Sequence, residues 1–135
     1  MKKLIKVPVF LLTLLLSLTT MAQNTIFFNP VAKITDTRSL ALDGAISITT
    51  VEIDGSTYAL VASFNDGVQI IDITDPSSPV ATANLTDSSN LALSGANDIT
   101  TVVIGERTYA LVVAINDDVV QIIDITDPSS PVATA

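Results

Sequence analysis

Aspartates are the side chains of this sequence whose spacing points most directly to chemistry. The chain has no His and no Cys, which excludes Ser–His–Asp and Cys–His catalytic arrangements and the ordinary ligand sets for zinc. The string Asp-Ile-Thr-Asp-Pro occurs twice and places four carboxylates at matching positions: Asp72, Asp75, Asp124 and Asp127. A calcium site needs about 6–8 oxygen ligands, whereas Asp before Pro-Ser-Ser typically binds its own backbone in a turn. We therefore expect turn roles and no bound cofactor, with Ca²⁺ as the alternative.

A second group of Asp and Asn side chains lies in short polar segments beside apolar runs. Asn-Asp pairs between two apolar runs are typical of tight hairpin turns, and antiparallel pairing of those runs would bring such turns to one end of a sheet. The group consists of Asp43, Asn65, Asp66, Asn97, Asp98, Asn116, Asp117 and Asp118. Two interpretations follow: these residues only form turns, or they also form a ligand-binding face.

An internal repeat determines the organisation of the chain. Residues 40–66 recur as residues 91–117 at an offset of 51 positions, and one inserted residue then makes the offset 52. Residues 69–83 and 121–135 are the same fifteen residues, QIIDITDPSSPVATA. The sequence therefore predicts two copies of one structural unit, at 40–90 and 91–135.

Each unit is predicted to contain four short strands. The first unit has them at about 46–53, 58–63, 68–73 and from Val80, and the second at about 99–104, 109–114, 119–125 and from Val132. Turn sequences such as Asn-Asp-Gly and Asp-Pro-Ser-Ser-Pro separate them, which favours antiparallel hairpins. No stretch after residue 22 has a helical period.

The second and third strands of each unit have no clearly polar face. Val68 and Ile70 alternate with Gln69 and Ile71, and all but one of these side chains are apolar. A sheet that is apolar on both faces must be covered on both sides, as in a β-propeller, where each blade packs between two neighbours. We predict an all-β fold of two four-stranded antiparallel propeller-type blades. An immunoglobulin-like sandwich, which usually alternates more cleanly, is the alternative.

The first 22 residues have the pattern of a secretory signal peptide. Lys2, Lys3 and Lys6 precede a short apolar run, and Ala22 stands before the expected cleavage site. The run is shorter than the roughly 20 residues that a bilayer span needs, although an uncleaved membrane anchor remains the alternative. We expect a secreted, cell-surface or periplasmic protein without a membrane span after cleavage. Residues 23–39 would follow as an N-terminal segment, in which residues 29–36 resemble the outer strand of a blade.

The net charge of the chain argues against anionic partners. After residue 22 the chain has three basic side chains, Lys33, Arg38 and Arg107, against fourteen acidic ones, a net charge of −11. Such a chain repels nucleic acid phosphates and anionic membranes. Basic partners or divalent cations are favoured instead.

The segment around the third strand resembles a known repeat. Val-Gln-Ile-Ile-Asp-Ile-Thr-Asp-Pro occurs at 68–76 and at 120–128, each time after a strand rich in Ala and Val. This combination resembles the LVIVD repeat, although Asp118 stands at the turn of the second unit where the family has Gly. The resemblance covers most of residues 44–135. It implies bacterial or archaeal secreted or surface β-propellers for which binding or adhesion is the expected role.

Together these features predict a non-enzymatic, exported binding or adhesion module. A propeller needs about 4–8 blades, so two units predict an incomplete propeller that is either a fragment of a longer chain or self-associates through exposed blade faces. A calcium-dependent, lactonase-like hydrolase and a structural surface-layer component are the alternatives. The partner would be a protein or a cell-surface ligand of unknown identity.

Overall fold

The computed structural model describes residues 30–134. The predicted signal peptide at residues 1–22 lies outside the described residues. Among residues 30–134, no helix is long and apolar enough to cross a membrane.

The described residues form two antiparallel sheets of four strands each. Blade 1 consists of β1 (Ala45–Ile53), β2 (Ser56–Ser63), β3 (Gly67–Asp72) and β4 (Val80–Leu85). Blade 2 consists of β5 (Ala96–Ile104), β6 (Arg107–Ala114), β7 (Val119–Asp124) and β8 (Val132–Thr134). In both sheets the strands lie in chain order, each hydrogen-bonded to the next. The predicted all-β fold of two four-stranded antiparallel blades is confirmed, and the two blades do not close a ring.

Strand positions agree with the sequence patterns to within three residues. β2 and β6 begin two residues before their predicted starts, at Ser56 and Arg107, and β5 shows the largest difference. β5 begins at Ala96, three residues before the predicted start, because the pairing with β6 shifts between Ala96 and Asp98. β1 has the same irregularity between Ala45 and Ser47. This bulge places an extra residue in the strand, which a period-two pattern cannot anticipate.

Each blade has two faces, which are named here by residues of the second and third strands. Face A of blade 1 carries Ala59, Val61, Ile71 and Ile73, and face B carries Leu60, Ala62, Val68 and Ile70. By the repeat offset, face A of blade 2 carries Ala110, Val112, Ile123 and Ile125, and face B carries Leu111, Val113, Val120 and Ile122.

The main core lies between the blades. Face B of blade 1 packs against face A of blade 2 in one continuous apolar cluster, and the linker residues Leu91 and Leu93 join it. Face A of blade 1 forms a second, smaller cluster with Leu42 and Ile34. Face B of blade 2 is largely exposed. The expectation that every sheet is covered on both sides therefore holds for face B of blade 1 and face A of blade 2. Face A of blade 1 is covered only in part, since Ile48 on β1 is 66% exposed, and face B of blade 2 is not covered.

The segment before β1 does not form a strand. Residues 30–37 have no strand pairing, and Ile34 packs on face A of blade 1. Both sheets already have a fourth strand of their own, β4 and β8, so neither offers this segment the outer position. Its proposed role as the outer strand of a further blade stays a prediction.

Candidate functional site

In each blade, the linker before the first strand and the turn between the second and third strands lie at the same end, which we call the loop end. In blade 1 the β2–β3 turn is hydrogen-bonded to the linker before β1, from Phe64 N to Gly44 O at 3.0 Å and from Asn65 N to Asp43 O at 3.3 Å. Blade 2 repeats both bonds at its own linker, with donors Ile115 and Asn116. The antiparallel order of the strands therefore gathers all of the predicted binding-face residues at this end.

Two of those aspartates hold the turns together. The Asp66 carboxylate accepts a hydrogen bond from Asp43 N at 2.8 Å, and the Asp117 carboxylate accepts one from Ser94 N at 2.9 Å. Both side chains are half-buried. Asp66 and Asp117 therefore have the turn-forming role that hairpin chemistry predicts, and they are less available to a ligand than their neighbours.

The other loop-end residues of the turns are exposed. Asn65 Nδ2 donates to Asp43 Oδ2 at 3.2 Å, and Asn116 Nδ2 donates to Ser94 Oγ at 3.4 Å. Asp118, the inserted residue, is exposed and adopts a left-handed conformation with φ of 56°. The loop end thus presents carboxylate and amide groups whose backbone is fixed by the turns beneath them.

Asp98 lies between the blades at the loop end. Its Oδ1 atom accepts hydrogen bonds from Ser47 Oγ at 2.7 Å and from Ile99 N at 2.9 Å. Ser47 is the counterpart of Asp98 in the first repeat, so the bond joins equivalent positions of the two blades. Asn97, at the bulge beside Asp98, is half-buried.

Two glutamines that the sequence analysis did not single out also stabilise this end. Buried Gln69 accepts from Ala41 N at 2.9 Å and donates to Ala83 O at 2.7 Å, which ties the linker to β3 and β4. Gln121 accepts from Ala92 N at 3.1 Å and donates to Thr134 O at 3.3 Å. A polar side chain repeated in the middle of two apolar strands was the signal that could have identified both, since buried polar groups need partners.

The Asp-Ile-Thr-Asp-Pro aspartates lie at the opposite end of the blades. Asp75 Oδ1 accepts bonds from Ser77 Oγ at 2.6 Å and Ser77 N at 2.9 Å, and Asp127 makes the same pair of bonds with Ser129. The Ser77 hydroxyl and then its backbone N–H lower the pKa of Asp75. These are the predicted turn roles.

Asp72 and Asp124 also accept bonds from local turns at that end, from Thr74 N at 2.8 Å and Thr126 N at 3.0 Å. Asp124 in addition forms an ion pair with Arg107. Residues 30–134 contain no group of three or more acidic side chains that could hold a metal ion. A calcium-dependent hydrolase would need carboxylates between the blades, and Asp98, which lies there, is engaged with Ser47.

Comparison with known proteins identifies the repeat. The family model of the LVIVD repeat matches residues 50–87 and 103–134, which together make up just over half of the chain. No curated protein and no solved structure matched significantly. The matched ranges contain the second, third and fourth strands of both blades, including Gln69 and Gln121. The chain therefore belongs to the LVIVD repeat family.

Proposed function

We propose that this chain is an exported, non-enzymatic binding or adhesion module that holds a protein or cell-surface ligand at the loop end. The observation that carries the proposal is that the linker and the β2–β3 turn of blade 1 lie beside the linker and the β6–β7 turn of blade 2. The Ser47–Asp98 bond joins the two blades there. Scaffolded loops are where binding residues concentrate in β folds. Here the scaffold has a fixed backbone with exposed carboxylates and amides above it.

Charge suggests the chemistry of the ligand. Residues 30–134 contain all fourteen acidic side chains and three basic ones, a net charge of −11. A surface of that sign attracts cationic groups and increases the rate of encounter with them. We therefore infer that the ligand presents basic groups, such as a lysine-rich protein surface or an amino-bearing cell-surface polymer.

The test removes charge at the loop end without disturbing the turns. Asp98→Asn and Asp118→Asn keep side-chain size, and Asn accepts the left-handed conformation of Asp118 as readily as Asp does. The control pair, Asp54→Asn and Glu106→Gln, removes the same charge at the β1–β2 and β5–β6 turns of the opposite end. Binding is measured by titrating labelled protein onto cell envelopes and, separately, onto poly-lysine.

We expect weakened binding from the loop-end pair and unchanged binding from the control pair. Equal effects of both pairs would mean that binding depends on net charge alone. No effect of the loop-end pair would exclude this surface as the site.

Calcium addition separates this proposal from the hydrolase alternative. A ligand that binds the folded state raises the melting temperature in proportion to the logarithm of its concentration above Kd. We expect no shift on adding calcium, because Asp98 and the turn aspartates are already engaged by protein donors. A shift of several degrees that Asp98→Asn removes would favour the hydrolase.

Export is tested by locating the N-terminus of the protein recovered from cells. If residues 1–22 are a signal peptide, the protein recovered from outside the cytoplasm begins at Gln23. N-terminal sequencing that starts at Met1 in a membrane fraction would favour the uncleaved anchor instead.

A further inference from the structure

The contact between the two blades defines a pair of complementary surfaces. Face B of blade 1 and face A of blade 2 bury each other almost completely: Leu60, Val68, Ala110, Val112 and Ile123 are all 0% exposed. Apolar burial of this kind is the dominant favourable contribution to association. Face B of one blade and face A of the next are therefore complementary in this sequence.

Blade 2 repeats the first of these surfaces without a cover. Its face B carries Leu111, Val113, Val120 and Ile122, where blade 1 has Leu60, Ala62, Val68 and Ile70. Val120 is 57% exposed and Ile122 is 40% exposed, whereas Val68 and Ile70 are at most 1% exposed. A contiguous exposed apolar surface marks an interaction site.

Blade 1 repeats the second surface as an open groove. The groove has a volume of about 740 Å³ and lies between residues 32–36, the start of β1, and face A. Its floor has the same residue types as the buried face A of blade 2: Ala59 for Ala110, Val61 for Val112, Ile71 for Ile123 and Ile73 for Ile125.

One position shows how much of the groove is left uncovered. Ile48, at the edge of the groove on β1, is 66% exposed, whereas its counterpart Ile99 in blade 2 is 5% exposed because blade 1 covers it. Ile34 and Leu42 already pack on the floor, where Ala59, Val61 and Ile71 are at most 8% exposed, so the uncovered part of the groove is its β1 edge, which lacks the opposing blade.

We propose that face B of blade 2 docks into the face-A groove of a second copy of this chain, reproducing between molecules the contact that already joins blade 1 to blade 2. The donor and acceptor surfaces are different, so the contact is head-to-tail and each copy can bind one neighbour on each side. This interaction is independent of ligand binding at the loop end.

Charge determines how the association responds to salt. Two chains that each carry −11 over residues 30–134 repel one another, and the apolar contact must overcome that repulsion. Raising ionic strength from about 0.01 M to about 1 M shortens the Debye length from about 30 Å to about 3 Å. Association therefore tightens as salt is added.

The test uses two variants that each disable one surface. Ile122→Glu places a charge on the donor face, and Ile48→Glu places one at the edge of the acceptor groove. Both side chains are substantially exposed, so both variants are expected to fold, which circular dichroism and thermal melting verify. Val103→Glu is the matched control, since Val103 is 63% exposed and its counterpart in blade 1 is already Glu52.

Sedimentation velocity over a range of concentrations gives the readout. We expect the unaltered chain and Val103→Glu to form dimers and larger species, and each of the other two variants alone to sediment as a monomer. An equimolar mixture of Ile122→Glu and Ile48→Glu still contains one intact donor face and one intact groove, so it forms a 1:1 dimer and nothing larger.

Three results would overturn the proposal. They are an unaltered chain that stays monomeric at high salt and high concentration, variants that associate as the unaltered chain does, and a mixture of the two variants that forms no dimer. A symmetric contact between two copies of face B would instead leave Ile48→Glu able to dimerise on its own. Loop-end variants such as Asp118→Asn do not weaken the association, so this test and that of ligand binding fail separately.

Discussion

Blade 1 and blade 2 contain the same fifteen residues from the third strand onward, yet the two copies are buried differently. All of β3 from Gly67 to Ile71 is buried, whereas in β7 only Ile123 is buried. The difference comes from the neighbours: blade 1 has blade 2 on face B and residues 32–42 on face A, and blade 2 is covered on face A only. Identical sequence thus pairs with the second strand in the same register in both blades but is buried unequally, and its contribution to stability should be unequal as well.

The largest expected difference between the blades is in the cost of removing a matched isoleucine. Ile70→Ala empties a fully buried position and should lower the free energy of unfolding by about 2–5 kcal/mol. Ile122→Ala, at the equivalent exposed position, should cost less than about 1 kcal/mol. Urea denaturation at a concentration low enough to keep the chain monomeric measures both. Equal costs would show that face B of blade 2 is covered even in the monomer.

The turn between the second and third strands provides the next comparison. A Cβ at Gly67 would lie 2.2 Å from Leu85 O, and the residue has φ of +108°. Gly67→Ala should therefore destabilise the chain by about 1–3 kcal/mol, as expected for a strained backbone conformation. In blade 2 the inserted Asp118 has the positive φ instead, so Asp118→Gly should stabilise by less than about 1 kcal/mol because glycine adopts this conformation without steric cost.

Thermal melting of the two turn variants and the unaltered chain measures these effects. A loss of stability from Asp118→Gly would show that the Asp118 side chain makes a contribution larger than the strain of its backbone.

Gln69 and Gln121 make equivalent hydrogen bonds but differ in burial, so comparing them shows how burial changes the cost of losing those bonds. Gln69→Met keeps the side-chain volume but leaves Ala41 N and Ala83 O without their partner. The loss of a buried partner should cost about 1–3 kcal/mol. Gln121→Met should cost less, since Gln121 is only half-buried and water can replace it. Equal costs in chemical denaturation would indicate that solvent does not reach Gln121.

The smallest expected effect concerns the pKa of Asp75 and Asp127, and it should be the same in both blades. Asp75 and Asp127 each have a pKa below the ordinary value of 3.8, because of the hydroxyl and then the N–H of Ser77 and Ser129 respectively. A lowered folded-state pKa contributes stability that is present above pH 3.8 and is lost as pH falls towards the folded pKa.

Ser77→Ala and Ser129→Ala should raise the pKa of the adjacent aspartate equally, as measured by carboxyl NMR titration. A rise in one blade only would mean that the turn depends on tertiary surroundings and is not a local structure.

Turn residues and the apolar runs between them were sufficient to predict the strands to within three residues and most of the loop-end placements. Asn65 and Asp66 were expected in a hairpin turn and lie there, because such turns depend on a few neighbouring residues. The bulges at Ile46 and Asn97 were not predicted, since they depend on pairing with β2 and β6. The partners of Gln69 come from residues 14 and 28 positions away along the chain, so a local pattern could not reveal them.

The amino-acid sequence by itself determined the repeat, the antiparallel blades, the turns with their aspartates and the acidic charge, because all of these depend on residue type and short-range spacing. Only the tertiary structure decided which of two equivalent faces is buried, that Ser47 binds its own counterpart Asp98, and that residues 32–36 border an open groove. Burial is a property of the surroundings of a residue, and two copies of one sequence in a chain cannot have the same neighbours on both sides unless the blades close a ring.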